Sequence, residues 1–401
     1  MELISKYIIY IKISLIIIFS MLYLEVFIIT KIKIQNKTIY NFKESSSKYN
    51  NKEVKNEINS NNSFNQKYLR KKKVGVIGLI HHKNIGNNLL KFAIYTQLKE
   101  LGVEPYIIGT YSFNEDISFL NRTTNPRIIK SFNEIKRNDY DILMVNSDQT
   151  WRNWTYYSSL FYDIAFLNFS KNWPTPKFIY GASIGLDYWP FSNVTDKFAK
   201  FLLKNFTGIS FREMNTIKYV KEHLEINATF VLDPTILIDK KYYIDIINNY
   251  KKKNKLSNVT EYILTYKLDK MKNMESFIRK AQDQLNYEIL DIKISDKDYI
   301  ENFLYGIYHC KAVITNSYHA TIFSIIFHFF NKPFVVFLNS YRGNERFKTI
   351  KELYDIKDRF FEKLQKPNLN LLKTPLKINF TKINIYRNIS LNYLKKNLNI
   401  T

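Results

Sequence analysis

Two stretches constrain what this chain can fold into more than any others. Val145-Asn-Ser-Asp-Gln-Thr-Trp151 and Val313-Ile-Thr-Asn-Ser-Tyr-His319 each pass directly from an apolar run to polar, chemically capable side chains. The runs, Ile142–Val145 and Ala312–Ile314, read as buried strands. In open parallel sheets, ligands bind beyond the carboxyl ends of the strands. The two polar stretches therefore stand where an α/β protein does its chemistry. Their wide separation in sequence points to two domains facing each other across a cleft.

The intervening pattern supports this. Val74–Ile80, Tyr106–Ile108, Ile142–Val145, Phe178–Ala182 and Phe230–Leu232 read as strands, with helices over Asn87–Leu101 and Phe198–Phe206. A second series follows: strand Tyr262–Thr265, helix Lys270–Leu285, strand Glu288–Ile292, helix Tyr299–Tyr308, and strands Ala312–Thr315 and Phe334–Leu338. Strands alternating with helices mean parallel sheets. The expected architecture is two Rossmann-like domains, 74–237 and 238–370, with a tail over 371–401.

The N-terminal part is different. Residues 7–29 are almost wholly apolar and, at about 1.5 Å per residue, long enough for a bilayer core of roughly 30 Å. No small-residue cleavage site follows. We expect a membrane anchor over 1–30 and a disordered Lys/Asn-rich stem over 31–73. The lysines flanking the span do not favour a lumenal C-terminus. Twelve Asn-x-Ser/Thr sequons, from Asn36 to Asn399, argue the other way, toward a glycosylated domain facing the secretory lumen. The expected location is a single-pass membrane protein, in the Golgi or elsewhere in the secretory pathway.

The formal charge of +24 invites a nucleic-acid reading. However, residues 31–73 hold twelve Lys/Arg against three Glu, and no arginine-rich helix or RNP-like motif is present. We expect no nucleic-acid partner, and a basic face that attracts anionic substrates instead. The single cysteine, Cys310, excludes an internal disulfide and a cysteine-based metal site, and no histidine pair has metal-ligand spacing.

Several residues could carry chemistry. Gly86 and Asn87 sit where the first strand gives way to a helix, with a tight turn and free N–H groups for an anion. Ser147, Asp148 and Gln149 follow the strand Ile142–Val145, suited to sugar hydroxyls or, for Asp148, to a base; N-capping would explain them too. Arg212 could clamp phosphate or carboxylate with its fork, or be a solvated residue at a helix start. Asn316, Ser317 and His319 follow the strand Ala312–Thr315, and a histidine there can exchange protons near neutral pH. Arg342 and Arg346 flank Gly343 after the last strand, as an anion-binding or a surface loop.

In this order the pieces resemble the polysaccharide pyruvyl transferase family over roughly residues 74–360. The matching elements are Asn84-Ile-Gly-Asn-Asn-Leu-Leu-Lys-Phe-Ala93, Val145–Trp151, Tyr180-Gly-Ala-Ser-Ile-Gly185, Ile209-Ser-Phe-Arg-Glu213, Leu232-Asp-Pro-Thr235, Ile314–His319 and Arg342-Gly-Asn-Glu-Arg346. The resemblance implies a GT-B-like pair of domains. It also implies transfer of pyruvate from phosphoenolpyruvate onto a carbohydrate acceptor, as a ketal bridging two hydroxyls. Arg212 matches the family's anion-binding arginine and His319 its catalytic histidine, here as general acid, with Asp148 relieving the sugar hydroxyl of its proton. No metal or other cofactor enters this scheme. Ala320, Asn146 and Asn316 depart from the family's usual Gly, Gly and Asp. The span and stem lie outside the resemblance and are similar in layout to Golgi type II glycan-modifying enzymes. Two other classes fit the pattern: a GT-B glycosyltransferase using a nucleotide sugar, and a non-catalytic glycan-binding membrane protein derived from the family.

Overall fold

A computed structural model describes residues 70–400 except 79–83, 110–117, 147, 153–158, 255–261, 296–297 and 329–331. The expected anchor over 7–29, the stem up to residue 69, and Ser147 lie outside the described residues. Among the described residues no helix is long and apolar enough to cross a membrane.

The described strands form two wholly parallel sheets. The first runs β1 (Lys73–Ile77), β2 (Glu104–Gly109), β3 (Arg127–Ile128), β4 (Ile142–Val145), β5 (Lys177–Ala182), β6 (Gly208–Phe211) and β7 (Thr229–Phe230). Its spatial order is β3-β2-β1-β4-β5-β6-β7. The second is built from β8 (Tyr262–Tyr266), β9 (Glu288–Asp291), β10 (Ala312–Thr315), β11 (Phe334–Phe337) and β12 (Phe360–Phe361). Its order is β12-β11-β10-β8-β9.

Each order reverses once. In the first sheet the reversal lies between β1 and β4, paired from Val74↔Ile142 to Ile77↔Val145. In the second it lies between β8 and β10, paired from Ala312↔Ile263 to Thr315↔Tyr266. At such a point neighbouring connections leave in opposite directions and open a crevice beyond the carboxyl ends. The polar stretches after β4 and β10 stand at these two crevices.

The strands form because their residues are largely apolar and mostly β-branched or aromatic, and they are buried: β4, β5, β8, β10 and β11 are buried along their whole length. Burying one such aliphatic side chain contributes about 1.5–3 kcal/mol. Helices pack on both sheets, and one hydrophobic cluster runs through both halves, from Val76 and Phe92 to Tyr243, Phe323 and Phe347.

Residues 371–401, expected as a tail, contain the helix Thr381–Leu398. This helix lies against the first sheet. Tyr393 donates its hydroxyl to the Ile179 carbonyl at 2.7 Å, and Ser390 Oγ accepts from the Leu232 amide at 2.9 Å. The chain thus returns to its first domain after completing the second.

Candidate active site

Asp148 is the meeting point of the two crevices. Its Oδ1 accepts from Arg212 Nη2 on the first domain and from Arg346 Nη1 of the second, the latter at 3.3 Å. Burial alone would raise this carboxyl. Arg212, Arg346 and His319 outweigh burial and hold it well below the usual carboxylate range. An Asp so stabilised as an anion is a weak base. Its charge balances those of the two arginines around it.

Arg212 is fully buried. Its Nη1 donates to Asp233 and its Nη2 to Asp148. Burial opposes its charge, but these two carboxylates raise its pKa further. The fork expected to clamp phosphate is therefore already occupied, and its Nε alone is buried without a partner. Asp233 also caps the turn Pro234–Leu237, its Oδ1 accepting from the Thr235 amide at 2.9 Å and the Thr235 hydroxyl at 2.6 Å. That accounts for the Leu232-Asp-Pro-Thr235 motif: proline opens the helical turn, and aspartate caps it while anchoring the arginine.

Tyr318 lies between the arginines of the two domains. The Arg212 and Arg346 guanidinium carbons stand 5.3 and 4.9 Å from its ring centroid. Cation–π attraction to one ring keeps both cations close despite their repulsion. Arg346 Nε is buried and unpartnered. A third arginine, Arg152, reaches from the first domain and donates to the carbonyls of Arg342 and Tyr341, at 2.7 and 3.3 Å. Burial lowers its pKa, and the nearby Arg346 and Arg342 lower it further. Three arginines thus converge where the domains meet.

His319 begins the helix Tyr318–Ile326 at the second crevice and is 5% exposed. Burial lowers its pKa to about 4, and Arg212 and Arg346 add to this against the pull of Asp233 and Asp148. At pH 7 the ring is thus held as the neutral imidazole. Its Nε2 is buried and has no hydrogen-bond partner, an orphaned group in a protein interior.

Gly86 lies inside the helix Ile85–Glu100, so a tight turn is not its purpose. A β-carbon there would collide with the His319 ring. Asn87, at the start of the same helix, is buried, and its amide donates to the N-cap Asn84. Gln149 holds a left-handed backbone, φ 44, and its Nε2 is buried without a partner where a side chain on Gly185 would stand. A non-glycine residue held there is strained, and such strain clusters at functional sites.

Three expected substrate contacts are committed elsewhere. Asn316 accepts from the Leu268 amide at 2.7 Å and donates to the Asp269 carbonyl at 2.9 Å, fixing the loop after β8. Ser317 caps the helix that carries His319, accepting from the Ala320 amide. Arg342 places its Nε and Nη2 on the Asp269 carboxylate. Sequence reasoning passed over Arg152, Asp233 and Tyr318 as site residues, although the last two stand inside the quoted motifs. Among the described residues no group of three or more His, Cys, Asp or Glu is placed to hold a metal ion.

No curated protein matches the sequence. Among solved structures, UDP-GlcNAc 2-epimerase from Neisseria meningitidis bound to UDP-GlcNAc aligns at 11% identity, over 82% of this chain and 94% of that chain, with a TM-score of 0.49. A putative UDP-N-acetylglucosamine 2-epimerase from Listeria monocytogenes aligns at 14% identity, over 82% and 97%, with a TM-score of 0.47. S. aureus MnaA with UDP aligns at 14% identity, over 82% and 98%, with a TM-score of 0.46. The profile of the polysaccharide pyruvyl transferase family matches residues 84–341, well over half of the chain, a stretch that holds the motifs from Asn84 to His319. The chain is a transferase and belongs to the polysaccharide pyruvyl transferase family.

Proposed function

We propose that this transferase moves the pyruvyl group of phosphoenolpyruvate onto a sugar of a glycan, closing a ketal across two hydroxyls. The observation that carries the reading is the meeting of an unpartnered imidazole nitrogen, His319 Nε2, with a cluster of arginines at paired sheet crevices in a member of this family. Phosphoenolpyruvate brings a phosphate and a carboxylate. Arg346 and Arg152, rather than Arg212, whose two Nη groups are held by Asp233 and Asp148, are the cations the donor would meet. Both face a site crowded with positive charge that an anion relieves.

The neutral imidazole of His319 is suited to accept a proton first. It takes the proton of the attacking hydroxyl, and the imidazolium is held by the nearby charges of Asp148 and Asp233. That proton then goes to the vinyl carbon as the oxygen joins C2. The second hydroxyl displaces phosphate, its proton leaving with the phosphate, so donor plus diol gives ketal plus phosphate. Arg212, Asp233 and Tyr318 hold the charges in place.

The test is incubation of the full chain with phosphoenolpyruvate and glycans bearing vicinal or 4,6-diols, following phosphate release and product mass. Release that depends on the acceptor, with a ketal in the product, is expected. No release above the acceptor-free control ends the reading, and turnover of a nucleotide sugar in a parallel arm would favour a glycosyltransferase.

For location, we propose a lumen-facing domain anchored through residues 7–29. The sequon residues Asn193, Asn205 and Asn388 are exposed, as glycosylation requires. Endoglycosidase treatment should shift the protein's mobility, and an unshifted, protease-sensitive domain in sealed microsomes would place it in the cytosol.

A further inference from the structure

Lys91 is a lysine in the wrong surroundings. It lies in the middle of the helix Ile85–Glu100 and is 0% exposed. Among the described residues no carboxylate pairs with it. Its Nζ donates to one group, the main-chain carbonyl of Asn146, at 3.2 Å. A methionine would fill similar space without burying an amine, so stability does not account for the choice. Burial lowers its pKa to about 7.

What it grips is informative. Asn146 is the first residue after β4, two before Asp148. Its amide continues the pairing with β1 through the Ile77 carbonyl at 3.0 Å. Its side-chain Nδ2 reaches the Tyr180 carbonyl of β5 at 2.9 Å. Asn146 is thus tied on both flanks, and Lys91 supplies the third hold, from the helix beneath. The first turn of that same helix carries Gly86, against which His319 rests.

We propose that Lys91 is a positioning residue, holding through the Asn146 carbonyl the turn that presents Asp148 and Gln149. One helix then sets both crevices: its N-terminus seats His319, and its centre fixes the Asp148 turn. The effect on turnover rests on the pyruvyl transfer reading. The effect on the turn does not.

The test compares wild type, Lys91→Met and Lys91→Gln as full-length proteins. It uses hydrogen exchange over the segment 142–152, melting temperature, and acceptor-dependent phosphate release from phosphoenolpyruvate. In Lys91→Met the melting temperature should hold or rise, while exchange in this segment quickens about 10- to 100-fold, the loss of one hydrogen bond to a charged group. Turnover should fall by a similar factor with a smaller change in KM for the donor. Lys91→Gln, which keeps an N–H donor, should recover part of the protection. Unchanged exchange in Lys91→Met, or equal behaviour of the Met and Gln variants, overturns the proposal, as does loosening of the whole helix with a lower melting temperature. Wild-type protein that releases no phosphate sinks the functional reading instead, and the exchange result still decides Lys91.

Discussion

A β-carbon on Gly86 would stand 1.9 Å from Nδ1 of His319. The two residues come from different domains, and the glycine is there to make room for the ring. Gly86→Ala should displace the imidazole and slow turnover by about 10²–10⁴-fold, the range for loss of a proton-transfer group. Combining it with His319→Ala should add little, because both changes remove one function. A Gly86→Ala enzyme with wild-type kcat would show that the contact is incidental.

Arg212 should prove a structural cation before a catalytic one. Replacing it by methionine strips the buried Asp233 of its cation and leaves Asp148 with Arg346 alone. Breaking a buried pair in this way costs about 3–5 kcal/mol. Urea unfolding of Arg212→Met should show a loss of that size. A variant as stable as wild type would mean that the two ion pairs contribute nothing, and would return Arg212 to the role of a free clamp.

Arg152 should behave in the opposite way. Its contacts include two main-chain carbonyls, neutral acceptors with which a phosphate or carboxylate would compete. Arg152→Met should raise KM for phosphoenolpyruvate by about 10- to 100-fold, the worth of one charged hydrogen bond, while the melting temperature changes little. An unchanged KM would remove Arg152 from the donor site.

These roles divide along what a linear pattern can carry. The strands Ile142–Val145 and Ala312–Thr315 are found where their apolar runs place them, and the helix Tyr299–His309 extends its expected span by one residue. Such elements are set by local burial and periodicity. The two-residue strands β3 and β12 carry too little pattern to be seen. The helix Thr381–Leu398 was missed because its apolar face is weak and interrupted by Asn and Lys. At the site, His319 and Asp148 stood out because a strand ends just before each. The pairing of Arg212 with Asp148 and Asp233 did not, because nothing local marks an ion pair between distant residues. Ser317 and Asn316 read as ligands on chemistry alone, and only their partners reveal a cap and a loop tie.

The depressed pKa of His319 also sets a pH dependence of stability. Its ordinary value is 6.5 and its folded value about 4. Between these, the unfolded chain binds a proton that the folded chain refuses. The stability it contributes is therefore present above about pH 6.5 and lost as pH falls toward 4. His319→Asn removes this term. Between pH 7 and 4.5, wild type should lose about 2–3 kcal/mol more than the variant in urea unfolding. Equal losses would place the histidine at an ordinary pKa, and with it the buried, desolvated ring in doubt.

The same shift separates two kinetic profiles. The acid limb of kcat/KM reports the free enzyme, and that of kcat the donor complex. In the free enzyme, burial and the two arginines disfavour the imidazolium. Phosphoenolpyruvate brings negative charge beside Arg346 and Arg152, so it offsets their repulsion and favours the imidazolium. If His319 must begin neutral to accept a hydroxyl proton, activity falls as pH drops through its pKa in each state. The limb of kcat should then lie at higher pH than that of kcat/KM, once the donor's own ionisation is corrected with a non-titrating analogue of its phosphate. Both limbs should vanish in the residual activity of His319→Ala. A kcat that instead rises as pH falls through this range would mean that the protonated ring is the active form, and would restore the general-acid assignment.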